Sequence, residues 1–380
     1  MRKRMLCMLL GISMAVSLTA CGGGAGTAGG NSAGSQTEAG SGAGNGAEAG
    51  TAADAAAGNG TAAGSGQAQG TAGSGAGSSG VKTTYLNFAH NRSEEDAFGI
   101  AVKEASDRLY EATGGAYAFQ IYPSGTYAAL GDCMEAVSGG TLDFAWYDTG
   151  MDYAERLGVL LSPFCFDSYD HWKAFKKSEV YQDFVQDMSD TCSVHHFGFF
   201  TFGFRMVTGN KVWKTPEEFA PVKLRMAVQP PYPAIATVLN CTGEPLDANE
   251  VYTALQTGVF DGQENPYSDI ISRKFYEVQK YIIKTEHVLS VGGVACSTKC
   301  WDSLDADAQA AVTDAVNYIL DAVDDATISG APEQEKFLAD QGCEIVTIED
   351  KTPFKDRAYL VFDQYPEFES YYTKIQEIEY

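Results

Sequence analysis

Between Gly22 and Gly80 the chain carries no aromatic residue, and only Glu38, Glu48 and Asp54 are ionisable in a tract dominated by Gly, Ala, Ser and Thr. Such a stretch has too little apolar surface to offset the entropy of ordering it, so it forms no core. All 20 tyrosines, 20 phenylalanines and 4 tryptophans fall in residues 81–380, which must supply the whole fold. That aromatic content exceeds what one small domain needs and points to two lobes. Residues 22–80 read as a disordered tether, spanning about 45 Å root-mean-square as a flexible coil.

What precedes the tether explains it. Arg2, Lys3 and Arg4 lead into an apolar stretch from Met5 to Val16, then Leu18-Thr19-Ala20-Cys21. The apolar stretch falls short of the roughly 20 residues a bilayer requires, so residues 1–20 read as a secretory signal. Leu-Thr-Ala-Cys resembles the lipobox at which bacterial lipoproteins are cleaved and lipidated. Cys21 is therefore expected as the lipidated first residue of an exported protein, held at the outer face of the cell membrane or facing a periplasm.

The formal charge of −24 belongs wholly to residues 81–380, because the first 80 residues hold three acidic and three basic side chains. Nucleic acid is thereby excluded as a partner. With Cys7 removed and Cys21 lipidated, seven cysteines remain, an odd number that leaves at least one thiol free. Cys296 and Cys300 stand four apart with Lys299 between them and no nearby His, which argues against zinc. They read as a strand residue and a helix-start residue, and no metal or cofactor is expected.

Strand and helix patterns alternate. Residues 84–89, 117–122 and 142–146 read as strands, with helices over 94–112 and 132–138 between them. Later come strands over 197–207 and 222–228 and helices over 233–240 and 250–257. A long helical pattern begins near Asp305, and Ser329-Gly330-Ala331-Pro332 makes it either one kinked helix or two. Strand–helix alternation predicts mostly parallel sheets flanked by helices, with ligands outside the carboxyl ends of the strands.

The segment EVYTALQTGVFDGQENP, residues 250–266, stands out. Val251, Ala254 and Leu255 form one apolar helical face, Gly258 ends the helix, and an extended run closes in Asp261, Gln263, Glu264 and Asn265. From its residues alone this is a solvated turn or a cleft lining. Continued by KFYEVQK at 274–280, it closely resembles the most recognisable segment of the substrate-binding subunits of TRAP (tripartite ATP-independent periplasmic) transporters. Looser agreement covers roughly residues 84–380: IYPSGTYAALGD, GTLDF, LSPFCFDSYDH, GFRMVTGNK, VKLRMAV and WDSL.

The resemblance implies a two-lobed, periplasmic-binding-protein-like α/β fold with hinge strands and a long C-terminal helix. Residues 81–202 and 291–330 would form the first lobe, and 203–290 with 331–380 the second. It also implies a monomer that captures an organic acid anion by hinge closure and delivers it to the small and large membrane subunits of a permease.

Arg225, inside VKLRMAV, needs an anion to offset its burial, either an internal acid or a ligand. The resemblance assigns it to the substrate carboxylate, where a planar fork suits bidentate pairing. It gives Arg205 a ligand contact as an alternative to bracing the hinge, and Asn265 an amide bond to the same carboxylate. Glu264 and Gln263 are either contacts or braces behind them. Asn91 and Asp148 match positions that touch hydroxyl or amide groups in sialic-acid-binding members, with Asp148 in place of a Glu. An anionic Asp148 disfavours a second carboxylate, so sugar acids are expected ahead of C4-dicarboxylates. Tyr147 or Trp146 supplies an aromatic wall, since alternation sends only one into the cleft. Two departures stand out, the stiff MAVQPPYPAI segment and Ala248 where some members carry a Phe.

Three rival readings remain: a binding lipoprotein of an ATP-driven importer, one serving a sensor kinase, and a carboxylate-dependent hydrolase. Residues 81–380 hold no Gly-x-Ser-x-Gly, and the chain has no His-Glu-x-x-His and no phosphate loop with Lys. His195 and His196 lie in a strand pattern where neighbours point to opposite faces, so they do not chelate together. No catalysis is expected.

Overall fold

The computed structural model describes residues 81–148 and 155–380. The expected signal at residues 1–20, Cys21 and the expected tether at residues 22–80 lie outside the described residues. Eleven strands run in chain order: β1 (Thr84–Ala89), β2 (Tyr117–Tyr122), β3 (Phe144–Asp148), β4 (Val194–Phe204), β5 (Met206–Gly209), β6 (Lys223–Met226), β7 (Thr242–Pro245), β8 (Gly262–Asn265), β9 (Tyr281–Lys284), β10 (Leu289–Ser297) and β11 (Glu344–Thr347). They form two sheets, ordered β2-β1-β3-β10-β4 and β11-β9-β5-β8-β6-β7. Each sheet carries helices on its faces and forms one lobe.

The first lobe begins as the alternation predicts. Helix Ala97–Ala112 starts at Asp96, whose side chain accepts from the Phe98 N–H at 2.9 Å. Its Phe98, Ala101, Val102, Ala105 and Leu109 recur at helical spacing and share a core with Val312, Val316, Ile319 and Val323 of helix Ala306–Asp340. Each large side chain buried there contributes about 1.5–3 kcal/mol. A crossover helix returns the chain in the same direction, so β1 and β2 pair in parallel.

Both sheets are mixed, however. β10 runs antiparallel to β3 and β4, and β5 antiparallel to β8 and β9. The cause is the connection between the lobes. The expected strand over 197–207 is two strands, because the chain leaves the first sheet at Phe204 and enters the second at Met206. It comes back through residues 285–288 between β9 and β10, and the Arg205 N–H donates to the Val288 carbonyl at 2.8 Å where the two crossings pass. Two segments crossing side by side in opposite senses must pair antiparallel on both sides of the hinge.

Helix Ala306–Asp340 is continuous, with Pro332 inside it. Its first half packs on helix Ala97–Ala112 and β4, and further contacts reach helix Tyr267–Ser272 and β11. Residues 366–380, expected with the second lobe, reach back to the segment after β3. Tyr372 donates to the Phe164 carbonyl at 3.1 Å, and Gln376 to that of Cys165 at 2.7 Å. Cys296 ends up in β10 and Cys300 in helix Thr298–Ser303, and His195 and His196 lie adjacent in β4. Among the described residues no helix is long and apolar enough to cross a membrane.

Candidate ligand-binding site

The ends of strands from both sheets meet around a cavity of about 220 Å³. From the first lobe come Asn91 and Arg92, just past β1, and Trp146 and Asp148 of β3. From the second come Arg225 of β6, Asn265 of β8, and Asp269 and Arg273 beyond it. Arg205 enters from the strand crossing, and Tyr232 and Ala248 complete part of the wall. Thus Asn91, Asp148, Arg205, Arg225 and Asn265, widely separated in the chain, line one space.

The 250–266 segment positions its residues as the sequence suggests. Val251, Ala254 and Leu255 are buried, and Gly258 takes φ +73°, open to glycine without strain. Gly262 answers a different need, since a Cβ there would meet the Thr208 carbonyl oxygen at 2.0 Å. Close pairing of β8 with β5 therefore requires glycine, and it sets Asn265 at the cavity.

Arg225 is 4% exposed, and its Nε donates to the Leu246 carbonyl at 2.8 Å. Among the described residues it makes no ion pair. Burial lowers its pKa to about 10; Glu264 opposes this, and Arg205 and Arg273 add to it. It is therefore a cation at neutral pH, buried at a cavity wall, with a carbonyl as its partner.

Arg205, also 4% exposed, is differently placed. Its Nε donates to Glu264 Oε2, its Nη2 to Glu264 Oε1 at 2.8 Å and to Asn265 Oδ1 at 2.9 Å, and its Nη1 to Ser290 Oγ at 3.1 Å. Burial alone would raise the Glu264 carboxyl, but the Arg205 charge and hydrogen bonds from His287 and Arg205 hold it at about 2. His287 Nε2 lies 3.2 Å from Glu264 Oε2, and its Nδ1 2.8 Å from Thr285 Oγ1. Arg205 thus ties β8 to both crossings while one side still reaches the cavity.

Two sequence-derived candidates stand away from the cavity wall. Glu264 is fully buried behind Arg205 and has its oxygens engaged there. Tyr147 is fully buried in the core of the first lobe, its hydroxyl 3.3 Å from His196 Nδ1. β3 runs to Asp148, so alternation puts Trp146 and Asp148 on the cavity side and Tyr147 opposite. Trp146 is the aromatic wall.

On the first-lobe side, burial raises the Asp148 carboxyl to about 6, against the pull of Arg92 and with a push from Asp269. Its Oδ1 has no hydrogen-bond partner among the described residues. Arg92 was not a sequence candidate, although it follows Asn91 directly. Its guanidinium lies 5.2 Å from the Trp146 ring centre and 4.9 Å from that of Phe202, and Nη1 pairs with Asp269 Oδ1 of the other lobe at 3.3 Å. Asp269 also faces Arg273 at 3.5 Å. The signal for Asp269 was its place one helical turn past the DGQEN strand. No group of three or more His, Cys, Asp or Glu suited to a metal occurs among the described residues.

A cavity between two lobes, charged where it is buried and carrying both signs, suits a small polar anion. Comparison with known proteins agrees. A solute-binding protein of Roseobacter denitrificans is 26% identical over 265 residues, covering 70% of this chain and 82% of that protein. The 2,3-diketo-L-gulonate-binding periplasmic protein YiaO of Escherichia coli is 28% identical over 289 residues, 73% of this chain and 86% of its own. The crystal structure of a TRAP periplasmic solute-binding protein from R. denitrificans with bound L-galactonate superposes with a TM-score of 0.68 at 26% identity, covering 77% of this chain and 99% of that one. Residues 88–367 match the model of the DctP family, described as bacterial extracellular solute-binding protein, family 7. The chain belongs to that family of TRAP-type extracytoplasmic solute-binding proteins.

Proposed function

We propose that this protein captures a hydroxylated monocarboxylate of the sugar-acid class and, by closing its lobes, presents it to the membrane subunits of a TRAP permease without catalysing a reaction. One observation carries the reading: Arg225 is a buried guanidinium at the cavity wall with no carboxylate partner among the described residues. A ligand carboxylate supplies the missing anion, and exclusion of water on closure strengthens the pair. Asn265 lies beside it, its Oδ1 held by Arg205 and its amide nitrogen donating to Gln263 Oε1, which leaves one amide hydrogen for the same carboxylate. Arg205 contributes chiefly by fixing that geometry.

Across the cavity, Asp148 accepts from ligand hydroxyls, and Asn91 offers an amide. A second carboxylate there would meet an acid, which favours polyhydroxy monocarboxylates over C4-dicarboxylates. The L-galactonate and 2,3-diketo-L-gulonate of the relatives' names are of the favoured class. Contacts from both lobes exist only when the lobes close, so ligand shifts the population to the closed form. Cys21 would carry the lipid that keeps the protein beside its permease.

The test is a thermal-shift screen of the purified protein against aldonates, uronates, C4-dicarboxylates, 2-oxo acids and the neutral sugars. A ligand at 100 times its Kd adds about 2.7 kcal/mol, a clear shift in Tm. Stabilisation by a sugar acid and none by its neutral counterpart is expected. Stabilisation by the neutral sugar alone would remove Arg225 from its role.

A further inference from the structure

The ligand cavity has a neighbour. A second space of about 390 Å³ lies between helix Ala97–Ala112, β4, helix Tyr267–Ser272 and helix Ala306–Asp340. Phe98, Phe200, Ile271 and Val323 line it, together with the half-buried Ser268, whose Oγ is covered and has no partner among the described residues. Arg92 and Phe202 line both spaces. These two side chains are the shared wall.

The wall is held on both sides of the cleft. Arg92 lies against the rings of Trp146 and Phe202 on its own lobe, and Asp269 grips its Nη1 from the other. Burial would lower its pKa, but Asp269, Asp96 and Asp148 outweigh burial and raise it. Its charge is already matched by this protein's own acids, so Arg92 is not free to take the ligand carboxylate as Arg225 is. What remains for it is to occupy space. Resting on the reading of a sugar-acid receptor above, we propose that Arg92, steadied by Asp269, closes the far end of the ligand cavity and so limits the length of the acid it accepts.

The position of the wall makes the inference specific. A front space of about 220 Å³ takes a single sugar acid, whereas front and back together would take a chain of two. Truncating Arg92 removes half of the partition, leaves Asp269 its second partner Arg273, and opens a path into a chamber of aromatic walls on which a second sugar ring can stack.

The test uses D-galacturonate and digalacturonate, built of the same unit, the dimer adding a second ring and a second carboxylate, titrated calorimetrically into wild type, Arg92→Ala and Arg92→Met. Arg92→Met keeps most of the bulk and drops the charge. Wild type should prefer the monomer by about 100-fold or more, Arg92→Ala should shrink that preference by at least about tenfold through gained affinity for the dimer, and Arg92→Met should keep it. Should Arg92→Ala fail to fold, Phe202→Ala opens the other half of the wall and must give the same gain.

Equal change in both Arg92 variants would mean that charge, not length, is read, and would overturn the proposal. So would no change in either. A crystal structure of Arg92→Ala decides the matter without any ligand: one continuous cavity supports the inference, and two separate ones sink it. If wild type binds no acid at all, the sugar-acid reading fails, while the continuity of the cavity still tells whether Arg92 is the partition.

Discussion

Arg205 and Arg225 are buried to the same extent, 4% exposed each, but the strand crossing and the cleft wall treat them in opposite ways. At the crossing, Arg205 meets a full set of acceptors, and Glu264 is held ionised at about 2. At the wall, Arg225 has the Leu246 carbonyl, and across the cavity Asp148 is raised to about 6 with one oxygen unbonded. Burial of charge is common to both regions, so burial does not mark the binding site. On the function proposed above, completion does: a pair closed within the protein is architecture, and a buried charge left open is addressed to something that arrives.

The comparison can be broken at its strongest point first. Glu264→Gln leaves Arg205 buried without its anion, which should cost about 3–5 kcal/mol of stability by urea unfolding. A loss under about 1 kcal/mol would mean the crossing is no closed pair. Next, Arg225→Ala should cost roughly 2–5 kcal/mol of binding, about 30-fold to several thousand-fold in Kd, with little loss of stability. An affinity change below about threefold, or a collapse of stability like that of Glu264→Gln, would erase the distinction between the two arginines.

A subtler effect follows at Asp148. Its folded pKa, about 6, lies above its ordinary 3.8, so the folded protein holds a proton there that the unfolded chain releases. The stability tied to that proton is full below pH 3.8 and is lost as pH rises through about 6. Asp148→Asn should therefore exceed wild type in stability at pH 7.5, by about 3 kcal/mol, with the gap closing towards pH 4 in paired melting curves. A gap independent of pH would show that Asp148 does not titrate in this range.

The smallest effect serves as the control. Arg156 pairs with Asp187 and lies over the Tyr371 ring, away from the cavity lining. Arg156→Ala should change stability by about 1 kcal/mol or less and leave Kd within about threefold. A larger loss of affinity would mean the cleft has been placed wrongly.

Much of this arrangement was legible from the sequence, for reasons that differ by residue. Strand ends can be read from alternation, and ligands gather there by rule, but it was the family resemblance that named Asn91, Asp148 and Asn265. The role of the 250–266 segment rested on a resemblance, and Gly262 shows the packing behind it. Between Trp146 and Tyr147 alternation allowed two phases, and β3 ends two residues later than its pattern suggested, which settled the matter for Trp146. Strand direction was hidden, because hydrophobic period is the same for parallel and antiparallel neighbours. So was the break at Arg205 inside an unbroken aromatic run. Arg92 was missed because its partner Asp269 lies 177 residues on, and pairing at that distance leaves no local pattern.

The crossing of two hydrogen-bonded strands between the lobes constrains more than topology. A single linker would let one lobe wander over a cone of orientations, whereas two strands fastened side by side, with Arg205 bonded to Val288 between them, flex along one arc and resist torsion. If the lobes close as proposed, the rim of the closed protein would then be the same whichever acid lies inside. A permease that docks on that rim would sense occupancy and not identity, leaving the choice of cargo to the cleft alone.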